Sequence, residues 1–218
     1  MTQNNQTKNI LFFLFAMIGS CLASGCSTLI TRTPEPRYYI LASFKKTDNQ
    51  KLALEEAQKI TGTKTIIVGP VEIPTYLDRQ EIVVKRGPNM MHVFKLSRWA
   101  EPLQNGIERV LAQNISAISE GKLTCYPFSM IVPEEEKNFD IRVMLSVYQF
   151  EGTNSANCCL DAEYFLTLPN NKEIFHKKIF LTSTMQENSI SETIKCQNKL
   201  LNELSYIIFQ KLMAISKN

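Results

Sequence analysis

Phe139-Asp140-Ile141-Arg142-Val143-Met144-Leu145-Ser146-Val147 is apolar at every odd position, as a strand is when one face meets a core and the other meets water. The same period of two returns at Leu160, Ala162, Tyr164, Leu166 and Leu168, with Asp161, Glu163 and Thr167 opposite. Asn170-Asn171-Lys172 is turn chemistry, and Glu173–Thr182 reads as a third strand. These segments predict a three-strand meander. Downstream the period lengthens to that of a helix, with Ile194, Leu201, Leu204, Ile208, Leu212 and Ile215 on its apolar face. Ser189, with Glu192 three residues on, supplies a capping box at its start.

Upstream, Ser97–Ile118 carries a second helical pattern. Trp99, Leu103, Ile107, Val110, Leu111, Ile115 and Ile118 recur at three and four, with Glu101, Gln104, Asn105, Glu108 and Gln113 on the other side. Ser97 is the expected N-cap, and Pro102 falls in or near the first turn, where its missing N–H costs least. Trp99 opens the stripe and is read as a core anchor. Before it, Glu81–Lys85 and Met91–Leu96 flank Arg86-Gly87-Pro88-Asn89, a hairpin signal. Thr65–Val71 is a short apolar strand closed by Gly69-Pro70, and Arg37-Tyr38-Tyr39-Ile40-Leu41 opens the domain with strand formers. Residues 45–64 are polar, with one short helical pattern at Leu52–Ile60, and read as a surface excursion. Strands, a helix, a meander and a helix imply an α/β domain with a mixed sheet.

The N-terminus reads as an address. Lys8 precedes an apolar run, Ile10 to Ile18, about half the length that crosses a bilayer as a helix. Such a run, followed by small residues, fits a secretory signal. The junction resembles a bacterial lipobox, in which cleavage leaves an acylated cysteine at the new N-terminus. Ala23-Ser24-Gly25-Cys26 makes Cys26 the expected lipidation site, and Ile18-Gly19-Ser20-Cys21 keeps Cys21 as the runner-up. The resemblance implies three acyl chains, where one of myristoyl length gives only reversible binding. It also implies outer-membrane placement, since no Asp follows either cysteine. The expected organisation is a signal peptide over 1–25, a lipidated tether over 26–36 rich in Pro and hydroxyl residues, and one domain over 37–218.

Chemistry is scarce in that domain. The whole chain's net charge of +3 falls to +2 once Lys8 leaves with the leader, and with no basic run it gives no footprint for nucleic acid. His92 and His176 sit in predicted strands, outside any metal-ligand spacing. No nucleophile elbow, phosphate-cradling glycine loop or His-Glu-x-x-His occurs. No catalytic, metal or cofactor residue is expected, and no cofactor beyond the covalent lipid. Glu134-Glu135-Glu136-Lys137 reads as a solvated loop. Cys125, Cys158, Cys159 and Cys196 remain in the domain, and in an oxidising compartment they permit disulfides of unknown pairing or stay as buried thiols. Cys158 and Cys159 point to opposite faces of a strand and disfavour a bond to each other.

Two blocks carry a family resemblance. Gly69-Pro70-Val71-x-Ile73-Pro74-x-Tyr76-Leu77-Asp78-Arg79, with Ile82-Val83, is followed by Arg98-Trp99-Ala100-Glu101-Pro102-Leu103. Tyr38-Tyr39-x-Leu41 and Arg109-Val110-Leu111-Ala112-x-Asn114 add to them. Together they resemble the PqiC-like ABC-type transport auxiliary lipoprotein family over most of residues 26–120. Beyond that only the order of elements matches. The resemblance implies a three-layer sandwich with a mixed, mainly antiparallel five-stranded sheet and two long helices, similar to the TolB N-terminal domain. It implies a non-catalytic outer-membrane lipoprotein of an MCE-type intermembrane lipid transport system, with an MCE protein, its permease and further copies of the chain as partners. Pro74, Tyr76, Leu77, Asp78 and Arg79 lie in a loop that either contacts a partner or is a structural turn. A periplasmic lipid carrier with its own acyl pocket and a thiol-redox protein are the alternatives.

Overall fold

The computed structural model describes residues 34–44, 63–130 and 138–216. The signal peptide, Cys21, Cys26, most of the tether, the Leu52–Ile60 pattern and the 134–137 cluster lie outside the described residues. Their strands and α-helices follow in order: β1 Arg37–Tyr39, β2 Lys64–Glu72, β3 Glu81–Gly87, β4 Met90–Trp99, α1 Leu103–Ile118, β5 Leu123–Pro127, β6 Ile141–Thr153, β7 Asn157–Thr167, β8 Glu173–Thr184 and α2 Ile190–Ser216.

The stretch from residue 139 builds the spine of the sheet. β6 buries Ile141, Val143, Leu145 and Val147 and turns Arg142, Met144, Ser146 and Tyr148 the other way. β7 runs antiparallel along the length of β6, and β8 antiparallel along β7. On its other side β6 serves two partners. β2 lies parallel to its first half, from Ile66↔Ile141 to Glu72↔Ser146, and β3 parallel to its end, at Val84↔Gly152 and Lys85↔Thr153. β5 extends the first arm, while β4 and then β1 extend the second.

Among the described residues the sheet has eight strands, not five, and it is mixed, with its longest ladders antiparallel. β1–β4, β2–β5, β2–β6 and β3–β6 are parallel. Parallel partners are joined across long connections, so no turn signal announces them. β5 carries no sequence signal of its own, because five residues ending in Pro127 are too short to show a period.

Both helices cover one face of the sheet. They touch through Asn114 of α1, whose amide donates to Asn202 Oδ1 at 2.9 Å and Ser205 Oγ at 3.2 Å on α2. The opposite face carries Tyr148, Glu163, Lys178 and Phe180 with no helix over them among the described residues. The described residues therefore make two layers, not three. Ile107, Val110, Leu111 and Ile115 of α1 and Leu201, Leu204, Ile208 and Leu212 of α2 are fully buried against the sheet, each contributing about 1.5–3 kcal/mol of hydrophobic burial.

Two details of the helices differ from expectation. Ser97 is no cap: β4 runs on to Trp99, and α1 begins at Leu103 with Pro102 in the cap position and no side-chain cap. Sheet pairing holds that segment extended, since Tyr38 and Tyr39 align with Arg98 and Trp99 and the Trp99 N–H donates to the Gln80 carbonyl at 2.7 Å. Trp99 is in the core as read, but from the strand. Glu108, assigned to the polar side of α1, is buried. Ser189 does cap α2, accepting from the Glu192 N–H at 3.2 Å.

Candidate functional site

The loop between β2 and β3 folds over on itself. The Pro74 carbonyl accepts from the N–H groups of Leu77 and Asp78 at 2.9 and 3.2 Å, closing a tight turn. That turn drives Leu77 into the core and sends the Tyr76 ring across the sheet. The Tyr76 hydroxyl donates to Glu151 Oε2 at 2.9 Å, and Glu151 is buried at the end of β6. Burial pushes the Tyr76 hydroxyl up, helped by the neighbouring Glu151 charge. Burial likewise raises the Glu151 carboxyl, opposed by the Tyr76 hydrogen bond. Tyr76 and Leu77 are thus fasteners of a structural turn.

Asp78 and Arg79 stay on the surface. Asp78 Oδ1 accepts from Gln104 Nε2 of α1 at 2.9 Å, and Arg79 Nε pairs with Glu81 at 3.1 Å. The second block folds against them. A hollow of about 210 Å³ is lined by Asp78, Arg79 and Gln80 on one side and by Trp99, Glu101, Pro102 and Leu103 on the other. Two segments some twenty residues apart in the chain therefore share one recess.

Polar side chains hold the walls. Arg109 Nη2 donates to Glu101 Oε1 at 2.6 Å and to the Leu41 carbonyl at 2.8 Å, fixing the strap after β1 to the start of α1. Asn198 Oδ1 accepts from the Ala42 N–H at 3.1 Å and Asn114 Oδ1 from the Phe44 N–H at 3.2 Å. Behind this corner, Glu108 accepts from the N–H groups of Val71 at 3.1 Å and Ser129 at 2.9 Å. Its carboxylate fills the space under Gly69, which adopts φ +121°, and a Cβ there would lie 2.5 Å from Glu108 Oε1. Only glycine fits that backbone and that approach. Nothing in the spacing marks Glu108 for this role, because a charged residue on an amphipathic helix reads as solvent-facing.

The cysteines divide. Cys158 of β7 is bonded to Cys196 of α2, with Cα atoms 6.2 Å apart. Cys159 is buried on the opposite face of β7, and Cys125 is half-buried. Burial, then the Glu151 charge, raises the Cys159 thiol, and burial pushes Cys125 up to about 12. A thiol held protonated is a poor nucleophile, so nothing here favours redox exchange. A recess of about 960 Å³ runs from the β3–β4 turn to β7 and β8, lined by Lys85, Gln149, Asn154 and Asn157 together with Pro88 and Phe180. His176 stacks on Phe165 with 4.5 Å between ring centres, and His92 packs edge-on to Phe94. Among the described residues no three His, Cys, Asp or Glu side chains gather as metal ligands.

The model of the family described as ABC-type transport auxiliary lipoprotein component matches residues 50–208. No protein of curated function matches the sequence. Among solved structures, an uncharacterized protein superposes with a TM-score of 0.64 at 16% identity, covering 82% of this chain and 99% of its own. A Xanthomonas campestris protein from a domain family of unknown function gives 0.62 at 11% identity, covering 83% of this chain and 96% of its own. At those identities the likeness is one of fold.

Proposed function

The chain belongs to the family of ABC-type transport auxiliary lipoprotein components, and on that premise we propose that it is the non-catalytic, outer-membrane-anchored subunit of an MCE-type intermembrane lipid transport system. The match over residues 50–208 carries the reading, and the anchor expected at Cys26, or at Cys21, completes it. The domain's part is to bind. Its acyl anchor holds it at a membrane, and the recess between the two motif blocks receives the periplasmic MCE protein, which a permease serves in turn.

The contact is assigned to Asp78 and Arg79 with the rim at Glu101 and Pro102. Tyr76, Leu77 and Arg109 are occupied in holding that rim rigid, and a preformed recess binds without first ordering its walls. Capture of the tagged chain from crosslinked cells should bring an MCE-domain protein with it. Asp78→Lys together with Arg79→Glu should reduce that yield severalfold while the chain remains folded and membrane-bound. Equal yield from the variant would refute the contact, and absence of any MCE protein from the wild-type capture would refute the function.

A further inference from the structure

We propose that the β1 edge of the sheet seats on the membrane surface, with Tyr38, Ile40 and Leu96 entering the headgroup layer of an anionic lipid face. The inference rests on the lipid-anchor reading of Cys26. β1 is an outermost strand, paired only with β4 among the described residues. Tyr38 is 60% exposed, Ile40 52% and Leu96 44%, an unusual concentration of large apolar side chains at one end of a sheet.

Two features of this edge select a lipid surface. The first is where the chain arrives: residues 1–33 precede the described structure and lead into β1. Tyr38 is the twelfth residue after Cys26, a span of at most about 40 Å. Of the whole domain, this edge is joined to the anchor by the shortest length of chain, and the tether keeps its effective concentration at the bilayer high. Even a weak seat is therefore occupied.

The second is charge. Outside the residues assigned to the recess, segments 35–41 and 80–100 hold the cations Arg37, Lys85, Arg86, Lys95 and Arg98 against the carboxylates Glu35 and Glu81. Tyrosine with an apolar ring and polar tip, flanked by arginine and lysine, suits the headgroup layer, where the cations meet lipid phosphates. The far edge offers a contrast. Phe180 of β8 and Tyr148 of β6 are exposed there too, but Phe180 faces Asp161 and the neighbouring Lys178 faces Glu163, so cations are matched by carboxylates. β8 is five strand spacings away, about 24 Å.

The test uses the full acylated chain in phosphatidylethanolamine vesicles, with or without phosphatidylglycerol. Nitroxide labels are placed singly at Tyr38→Cys, Ile40→Cys and, as the far-edge control, Phe180→Cys. The ratio of oxygen to water-soluble nickel accessibility should be severalfold higher at 38 and 40 than at 180, and highest with phosphatidylglycerol present. A chain that stays on the vesicles with equal ratios at all three sites overturns the proposal alone. So does spin–spin broadening between copies at 38, which would mean that a second chain covers the edge. A chain that washes off in carbonate overturns the anchor reading and this proposal with it.

Discussion

The motif corner and the meander hold together by different means. In the corner, Glu108, Arg109, Asn114 and Tyr76 each tie a distant backbone or side-chain group by directed hydrogen bonds. In the meander, β6, β7 and β8 are joined by ladder pairing, by alternating apolar residues such as Val143, Leu145, Leu160 and Ala162, and by the Cys158–Cys196 bond to α2. Directed bonds need particular residues, whereas alternation needs only the right kind of residue at every second position. The family match spans both regions, over residues 50–208, so the meander too carries the family's sequence pattern and not the order of elements alone.

The sharpest way to break this contrast is to swap residues of similar size in each region. Glu108→Leu leaves the Val71 and Ser129 N–H groups buried without acceptors and should cost about 4 kcal/mol in urea unfolding. Leu160→Met in the meander keeps volume and polarity and should cost less than about 1.5 kcal/mol. Equal costs would erase the distinction. Next comes the covalent tie, which closes a separation of 38 residues. Cys196→Ala should lower stability by about 3 kcal/mol, and reductant should lower the wild type similarly without affecting the variant. Indifference of the wild type to reductant would mean that packing alone holds α2 to β7.

A smaller effect tests the joint between the two regions, Tyr76 on Glu151. The Glu151 carboxyl is raised above its ordinary 4.5. Below that value both folded and unfolded chains hold the proton and no difference arises. As pH rises through it the unfolded chain releases the proton first, so the folded state loses stability until the folded pKa is passed. Glu151→Gln removes the loss. Its stability relative to wild type should grow as pH rises above the ordinary 4.5 of the carboxyl, and a pH-independent difference would contradict the burial of that carboxyl.

Much of the fold was legible because its strands and helices repeat on local periods. The meander, the β3–β4 hairpin, the last helix with its Ser189 cap and most of α1 follow directly from spacing. Long-range pairing left no such trace. β5 and the parallel contacts of β2, β3 and β1 depend on partners far along the chain, and Ser97–Trp99 took helical spacing while the sheet held it as strand. Of the site, the two motif blocks were visible as blocks, but their meeting in one recess was not. Nor was the division of labour within Pro74–Arg79, where Tyr76 and Leu77 turn inward and Asp78 and Arg79 stay out. The Cys158–Cys196 pairing needed a strand and a helix brought together in space.

The most direct measurement of the proposed function is site-specific photocrosslinking in living cells, with the photoreactive residue at Arg79 beside the recess or at Phe180 on the far edge. The expected result is a crosslinked MCE-domain protein from position 79 and none from position 180. An MCE adduct from both positions alike, or from neither, would contradict the assignment of the recess as the docking site.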